Sequence, residues 1–396
     1  MPTESFPSTD FNCSNFVNWI NGVAGNSALS EHELDTNTQA AKKVNSTFVA
    51  QRFMTDKDIS FSEKRFSAQR NKLRDQIFGI GSNEEFRQIA LEVYRYQFDT
   101  NIKYRTWSEA LNRNPSNVHS IEHIPFLPIR YFKESEVKCG EQEAELVFSS
   151  SGTTGVITSR HYIYDSSLYR ESILRGFERA YGRLSEYCIL GLLPSYLERE
   201  GSSLVWMTEL LINESKHPDS GFYLYNHDEL NAVLHKHAGG KHKIWLIGVS
   251  FALLDFALTK PAALPQLRVV ETGGMKGRRR EMIREELHAK MRETWTIDRI
   301  DSEYGMTELL SQGWMLDEKY FNCPHWMKVL MREVDNPLNY VSDGRTGGIN
   351  AIDLANLDSC AFIETADLGR CIPGKGFEVL GRIDHSEARG CNLLVI

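Results

Sequence analysis

The sequence predicts an α/β protein with a sheet covered on both faces, and three observations carry that reading. Three continuous apolar runs, Cys188-Ile189-Leu190-Gly191-Leu192-Leu193, Ile244-Trp245-Leu246-Ile247 and Leu267-Arg268-Val269-Val270, alternate with helical or polar stretches. Strands that are apolar throughout, rather than at every second residue, belong to a sheet without a wet face. Helices with one apolar stripe and a capping residue recur between them. From about Trp326 the signal changes to strands and turns: Met327, Val329 and Met331 alternate with Lys328, Leu330 and Arg332, and Gly347-Gly348 and Pro373-Gly374 punctuate the remaining chain. The expectation is an α/β core followed by a smaller β-rich part from about residue 325.

Residues 1–72 are rich in Ser, Asn, Thr and charge, with one small apolar cluster at Phe16, Val17, Trp19 and Ile20, and read as a loosely attached extension. Organised chain begins near Asn71. Ser82-Asn83-Glu84-Glu85 has the form of a capping box, and Phe86, Ile89, Ala90, Val93 and Tyr96 then recur at helical spacing. The stretch Ile124-Pro125-Phe126-Leu127-Pro128-Ile129 cannot be regular helix and is expected to cross the surface as an extended connector. Asp165 can cap a helix whose Tyr169, Ile173, Phe177 and Tyr181 form one row.

With 396 residues, 41% of them hydrophobic and 25% charged, the chain has ordinary globular composition and room for a sizeable core. A net charge of −8 excludes the basic footprint of a nucleic-acid binder. The seven cysteines (Cys13, Cys139, Cys188, Cys323, Cys360, Cys371 and Cys391) are scattered and contain no C-x-x-C pair, which disfavours a disulfide framework and a structural zinc site. Neither a secretory signal nor an apolar run of membrane-spanning length is visible, so a cytoplasmic protein is expected.

The chemistry-bearing stretches are few. Leu146-Val147-Phe148-Ser149-Ser150-Ser151-Gly152-Thr153-Thr154-Gly155 is an apolar run that breaks into hydroxyls and glycines. Such a loop wraps a polyphosphate, because glycines let backbone N–H groups approach the anion while hydroxyls donate further bonds; a polar surface turn is the plain alternative. No Gly-Lys-Ser/Thr follows, so it is not a Walker loop. Glu271-Thr272-Gly273-Gly274 follows an apolar strand, where glycine backbone can lie against an adenine or simply turn the chain. Lys276 and Arg278-Arg279-Arg280 open the next helix, either as solvated charge or facing an anion. In Asp301-Ser302-Glu303-Tyr304-Gly305-Met306-Thr307-Glu308, a Thr hydroxyl can bond phosphate, a Glu can hold Mg²⁺ and a Tyr can stack on a base. Glu364-Thr365-Ala366-Asp367 ends a strand on a carboxylate suited to ribose hydroxyls, and Gly381-Arg382-Ile383-Asp384 comes soon after.

In this order the motifs resemble the core succession of the adenylate-forming superfamily of acyl-CoA synthetases and adenylation domains, over roughly residues 73–396. The resemblance implies the large-domain fold of those enzymes, with the cofactors ATP and Mg²⁺. It implies that Ser150, Ser151, Gly152, Thr153, Thr154 and Gly155 hold the β- and γ-phosphates, Thr307 the α-phosphate, Glu308 the magnesium and Asp367 the ribose. Gly273, Gly274 and Tyr304 would surround adenine, and Arg382 belongs to the last motif. Within the superfamily the chain looks most like acyl-protein synthetases of the LuxE type, on Phe148–Gly155 running into Ser159-Arg160-His161, on Leu193-Pro194-Ser195-Tyr196-Leu197-Glu198, and on the ending Arg389-Gly390-Cys391. That resemblance implies activation of a carboxylic acid, a fatty acid favoured, as acyl-AMP, and transfer of the acyl group to a cysteine near the C-terminus, here Cys391, for delivery to a reductase or carrier.

Two departures matter. The phosphate loop lacks the usual Pro-Lys-Gly continuation, so a cation there must be Arg160, His161 or a remote group. Fourteen residues follow Arg382, too few for the superfamily's mobile C-terminal domain with its lysine, which leaves Mg²⁺ and cations such as Lys276 or Arg160 to balance leaving-group charge. A thiolate at Cys391 would be favoured by His385 and Arg389 if the tail folds them together. The alternatives are a phenylacetate-type ligase with CoA as acceptor, and a non-catalytic nucleotide-binding module. His235, His237 and His242 show no third-ligand spacing and are set aside as a metal site. Gly248-Val249-Ser250-Phe251-Ala252 is set aside as a nucleophile elbow, Ser250 being expected to cap a helix.

Overall fold

The computed structural model describes residues 56–150, 158–194, 201–262, 264, 266–273, 284–295, 297–317 and 319–383, with side chains from residue 66 onward. The chain divides into two compact units, Met1–Arg65 and Phe66–Ile396, and the architecture is that of the second. In order, its elements are α1 (Asp56–Ile77, which begins before the boundary), α2 (Asn83–Thr100), α3 (Ile102–Ala110), β1 (Leu127–Pro128), α4 (Tyr131–Glu134), β2 (Leu146–Ser149), β3 (Arg160–Ile163), α5 (Ser166–Tyr181) and β4 (Tyr187–Leu192). Then come α6 (Ser203–Ser215), β5 (Gly221–Phe222), α7 (His227–Lys236), β6 (Lys243–Gly248), α8 (Ser250–Ala257), β7 (Leu267–Glu271), α9 (Arg284–Trp295) and β8 (Ile300–Tyr304). The rest is strand: β9 (Gly313–Met315), β10 (Phe321–Asn322), β11 (Met327–Arg332), β12 (Gly347–Asp353), β13 (Phe362–Ile372) and β14 (Gly376–Arg382).

One sheet runs through the unit in the order β11-β12-β13-β14-β10-β9-β8-β7-β6-β4-β5, with β1 alongside β13. From β5 to β8 neighbouring strands are parallel; from β9 onward they are antiparallel. The β-rich region that the sequence predicts therefore continues the same sheet. The apolar runs are continuous because their alternate residues enter two different cores. Ile189, Trp245 and Ile247 join one core with Tyr169, Ile173 and Phe177 of α5. Leu190, Leu192, Ile244 and Leu246 join the other with residues of α7, α8 and α9. Both faces are dry, as a covered parallel sheet requires.

The helix caps predicted at Ser82 and Asp165 form. Ser82 Oγ accepts from Glu85 N at 3.1 Å, while Glu85 accepts from Gly81 N at 2.8 Å, one residue earlier than an ideal capping box. Asp165 caps α5 through Ser167 N. At Arg70, inside the stretch read as extension, the guanidinium spans Asp358 at 2.6 Å and Asp165 at 2.7 Å.

One expectation is corrected here. The Ile124–Ile129 stretch is extended but does not cross the surface: Ile124, Phe126 and Leu127 are buried, and Ile129 N donates to Glu364 O at 2.9 Å. Pairing with β13 satisfies its backbone, so its apolar side chains gain burial at no cost in unpaired groups. On β11, Arg332 is buried. Its guanidinium donates to Ile349 O, Asn350 Oδ1 and Thr365 O at 3.0, 3.3 and 2.8 Å. A charge can be buried there because carbonyls surround it. Among the described residues no helix is long and apolar enough to cross a membrane.

Candidate active site

Parallel strands bring their carboxyl ends to one edge, the usual place for a ligand in an open α/β sheet. Here that edge carries Gly248, Glu271 and Tyr304. Glu271 is buried and accepts from Ser250 Oγ, from Gly273 N at 2.5 Å and from Ser302 Oγ at 3.3 Å, with His288 Nε2 at 3.7 Å. Burial pulls its pKa up, but the neighbouring His288 imidazole and the bond from Ser250 outweigh this and hold the carboxyl below its ordinary value. Ser250 thus makes no side-chain cap for α8, contrary to expectation; the stronger acceptor, a buried carboxylate, takes its proton. Gly273 adopts φ +79, a conformation glycine reaches without strain, and this aims its N–H back at Glu271. Next to Glu271, burial and then the Glu271 charge raise Glu303 to about 8.

After β8 the chain makes an eight-residue excursion, 305–312, before β9 returns antiparallel. Thr307 and Glu308 lie on it. The excursion has few internal bonds and is held from outside. Asp353 Oδ2 accepts from Leu310 N at 2.7 Å and Ser311 N at 2.9 Å, and its Oδ1 accepts from Ser311 Oγ at 2.6 Å. Asn356 Nδ2 donates to Glu308 O at 2.8 Å. His161, on β3, meets Thr307 O through Nδ1 at 2.8 Å. A carbonyl only accepts, so the proton sits on Nδ1. Burial lowers His161 to about 4, which makes it a neutral positioning group and removes it as a cation for a phosphate loop.

That contact ties the Thr307–Glu308 segment to the β2–β3 hairpin, whose connection is the Ser/Gly/Thr loop. The hairpin closes with Ser150 N donating to Ser159 O at 3.0 Å and Ser159 N to Ser150 Oγ at 2.9 Å. Ser159 also hydrogen-bonds the Glu308 carboxylate. Glu308 is only 4% exposed; burial lifts its pKa against the pull of Ser159, Arg382 and Lys133. On the far side, β13 and β14 pair Asp367 with Arg382 in register. Asp367 accepts from Tyr304 Oη at 3.0 Å and sits 3.5 Å from Arg382 Nε, and burial raises it against both. The Tyr304 ring packs edge-on against Phe377 at 5.3 Å.

Four separated stretches thus meet: the base of the hydroxyl-rich loop at Ser150 and Ser159, Thr307-Glu308, Tyr304 with Asp367, and Arg382. Arg160, at the start of β3, is exposed. Of the other residues singled out, Ser151, Gly152, Thr153, Thr154, Gly155, Gly274, Lys276 and Cys391 lie outside the described residues. The structure adds groups the sequence did not announce. The charge of Lys133, on α4 after the buried connector, acts on Glu308, and a lone Lys in Tyr131-Phe132-Lys133-Glu134 carries no signal. Glu271, His288 and Ser250 form a buried polar cluster from three elements, legible only through the oddity of a carboxylate ending an apolar run.

No protein-family model matches the sequence, and no curated protein matches it closely. Solved structures do. Two crystal structures of 2-hydroxyisobutyryl-CoA ligase in complex with 2-HIB-AMP and CoA superpose on it. The thioesterification state gives a TM-score of 0.56 at 13% identity, covering 78% of this chain and 71% of that one. An open conformation gives 0.55 at 12%, covering 76% and 71%. The fold is that of the adenylate-forming enzymes. In this adenylate-forming fold the parallel half of the sheet and its antiparallel continuation frame one edge, and the four stretches gather there.

Proposed function

We propose that this chain is an ATP-dependent acid–thiol ligase. A carboxylate oxygen attacks the α-phosphorus of ATP, the α–β bridge breaks and pyrophosphate leaves; a thiolate then attacks the acyl carbon and AMP leaves. The convergence of four segments around Glu308 carries this reading, and the shared fold supports it. Ser150, Ser151, Gly152, Thr153, Thr154 and Gly155 would cradle the β- and γ-phosphates, Thr307 the α-phosphate, and Asp367, oriented by Tyr304 and Arg382, the ribose. Gly273 and Gly274 would flank adenine. Lys133 and Arg382 join Lys276 and Arg160 as candidates to balance leaving-group charge. The Glu308 carboxylate, desolvated and only partly compensated, suits a hard cation that shares its coordination with phosphates. Mg²⁺ held there would neutralise phosphate charge.

For the second step we favour Cys391 as acceptor, in the manner of an acyl-protein synthetase acting on a fatty acid and serving a reductase or carrier. The described cysteines support this by their unsuitability. Burial raises Cys371 to about 11, Cys360 and Cys188 to about 12, and Cys139 and Cys323 further, so none is a thiolate near neutrality. CoA as acceptor is the second reading, favoured by the CoA named in the ligase complexes.

Acid-dependent exchange of pyrophosphate into ATP tests the first step, and nucleotide binding without exchange for any acid in a broad panel would make the chain a nucleotide-binding module. Intact mass after incubation with ATP, Mg²⁺ and acid tests the second. An adduct removed by hydroxylamine and absent in Cys391→Ala supports self-acylation; acyl-CoA formation without an adduct supports CoA.

A further inference from the structure

At the opposite end of the parallel strands lies a second cluster. Cys188 is on β4 four residues before its carboxyl end, on the order of 13 Å from the candidate site edge at about 3.3 Å per residue. His217 is in the α6–β5 connection and His237 caps the C-terminus of α7. One ligand atom from each of Cys188, His217 and His237 lies within 4.8 Å of the others. Cys188 and His237 are buried. His242 packs beside His217, their ring centroids 4.8 Å apart, and the His237 ring stands 5.0 Å from that of His217. His237 Nε2 meets Asp219 Oδ2 at 2.9 Å, and Lys236 Nζ donates to Asp219 Oδ1 at 2.7 Å and Oδ2 at 2.8 Å.

We infer that Cys188, His217 and His237, with His242 closing the fourth position, form a structural site for a thiophilic divalent cation, Zn²⁺ by its ligand chemistry. One thiolate and imidazoles are the donor set of tetrahedral zinc sites, whose neighbouring ligand atoms stand about 3.5 Å apart. The cluster needs to contract by about 1 Å, within the reach of side-chain rotation. Asp219 supplies the orienting carboxylate that zinc-bound histidines usually have: with Nε2–H of His237 given to Asp219, the other ring nitrogen keeps its lone pair for the metal. On binding, Cys188 releases its proton to solvent and Sγ donates an electron pair. His235 has no part in the set. The sequence concealed the site because Cys188 lies in an apolar strand and His217 twenty residues before His237.

The cation would tie down a thinly held corner of the sheet. β5 is a two-residue edge strand, paired to β4 by two positions. Metal ligation would bind the α6–β5 and α7–β6 connections to β4 directly. The role is structural, so the test does not depend on ligase activity.

Tag-free full-length protein, stripped with chelator and titrated with Zn²⁺ alone, is expected to take up about one equivalent and to gain roughly 5 °C in Tm. Titration with Co²⁺ alone should give a thiolate-to-cobalt charge-transfer band that Cys188→Ser removes. Asp219→Asn should keep the stoichiometry and weaken binding about 10–100-fold. Should Cys188→Ser fail to fold, the exposed His242→Ala replaces it, with weaker Zn²⁺ uptake and a smaller Tm gain expected. Absence of stoichiometric uptake, a wild-type Co²⁺ spectrum without the thiolate band, or a band unchanged by Cys188→Ser or uptake unchanged by His242→Ala would overturn the site.

Discussion

The two halves of the large sheet are built of different material. In the parallel half, β4 and β6 turn Ile189, Leu190, Leu192, Trp245, Leu246 and Ile247 into the two cores. In the antiparallel half, Arg332, Asn350, Asp353, Asn356 and Thr365 are buried as deeply. Each of these polar groups has a named partner: Arg332 holds three acceptors, Thr365 donates to Ile349 O at 2.8 Å, and Asp353 and Asn356 hold the 305–312 excursion. Gln97 joins them from α2, donating to Asn356 O at 2.8 Å and accepting from Ala361 N at 3.0 Å. Apolar burial is non-directional and fixes where strand ends lie; hydrogen bonds are directional and fix where a loop's side chains point. The first half sets the edge of the site, and the second sets its contents.

Glu308 offers the sharpest way to break this division. Glu308→Gln keeps size and its backbone bond to Asn356, and removes only charge. Pyrophosphate exchange is expected to fall at least about 100-fold, equivalent to roughly 3 kcal/mol of barrier, with Tm nearly unchanged. Exchange close to wild type in this variant would end the assignment of the cation to Glu308.

A pair of substitutions then compares the halves directly. Leu246→Ala in the parallel half should destabilise by about 2–5 kcal/mol through a cavity, while the folded fraction exchanges at the wild-type rate. Asp353→Asn is smaller in stability, about 1–3 kcal/mol, because an amide nitrogen would face backbone donors it cannot satisfy. It should also slow exchange about tenfold, since the excursion loses its anchor. Equal damage to exchange from both variants would erase the distinction.

This difference also explains what could be read without coordinates. The parallel half was legible because continuous apolar runs have one interpretation, and the α2 and α5 stripes repeat at 3.6 residues. The connector at Leu127 was misread because proline stands for surface only when no partner waits inside, and the partner here, β13, is remote in sequence. The site motifs could be named in order, but not their support. His161 reaches Thr307 across 146 positions, and the Lys133 charge acts on Glu308 from a four-residue helix, so neither is visible in any window of sequence.

Glu303 tests the boundary where the halves join, and its effect depends on pH. With a folded pKa raised to about 8 from an ordinary 4.5, the folded state keeps a proton that the unfolded chain loses. Stability therefore declines as pH rises from about 4.5 to about 8 and is constant beyond. Glu303→Gln should match the wild type near pH 4.5 and exceed it above pH 8 by roughly 2–4 kcal/mol in urea titrations. Parallel curves at both pH values would mean that Glu303 is ionised in the fold and that the Glu271 charge is screened from it.

The smallest effect is the most selective. Tyr304→Phe leaves the edge contact with Phe377 and the tilted one with Phe321 in place, because the ring persists, and removes a single donor to Asp367 Oδ2. The net loss for one such bond is about 1 kcal/mol. How that loss divides is informative. If Asp367 receives ribose hydroxyls, an unanchored carboxylate should raise KM for ATP about fivefold with kcat nearly unchanged, since ground and transition states lose the contact alike. If Tyr304 serves only the packing between β8 and β14, KM stays at its wild-type value while Tm drops, and the antiparallel half would then shape the excursion without reaching the nucleotide.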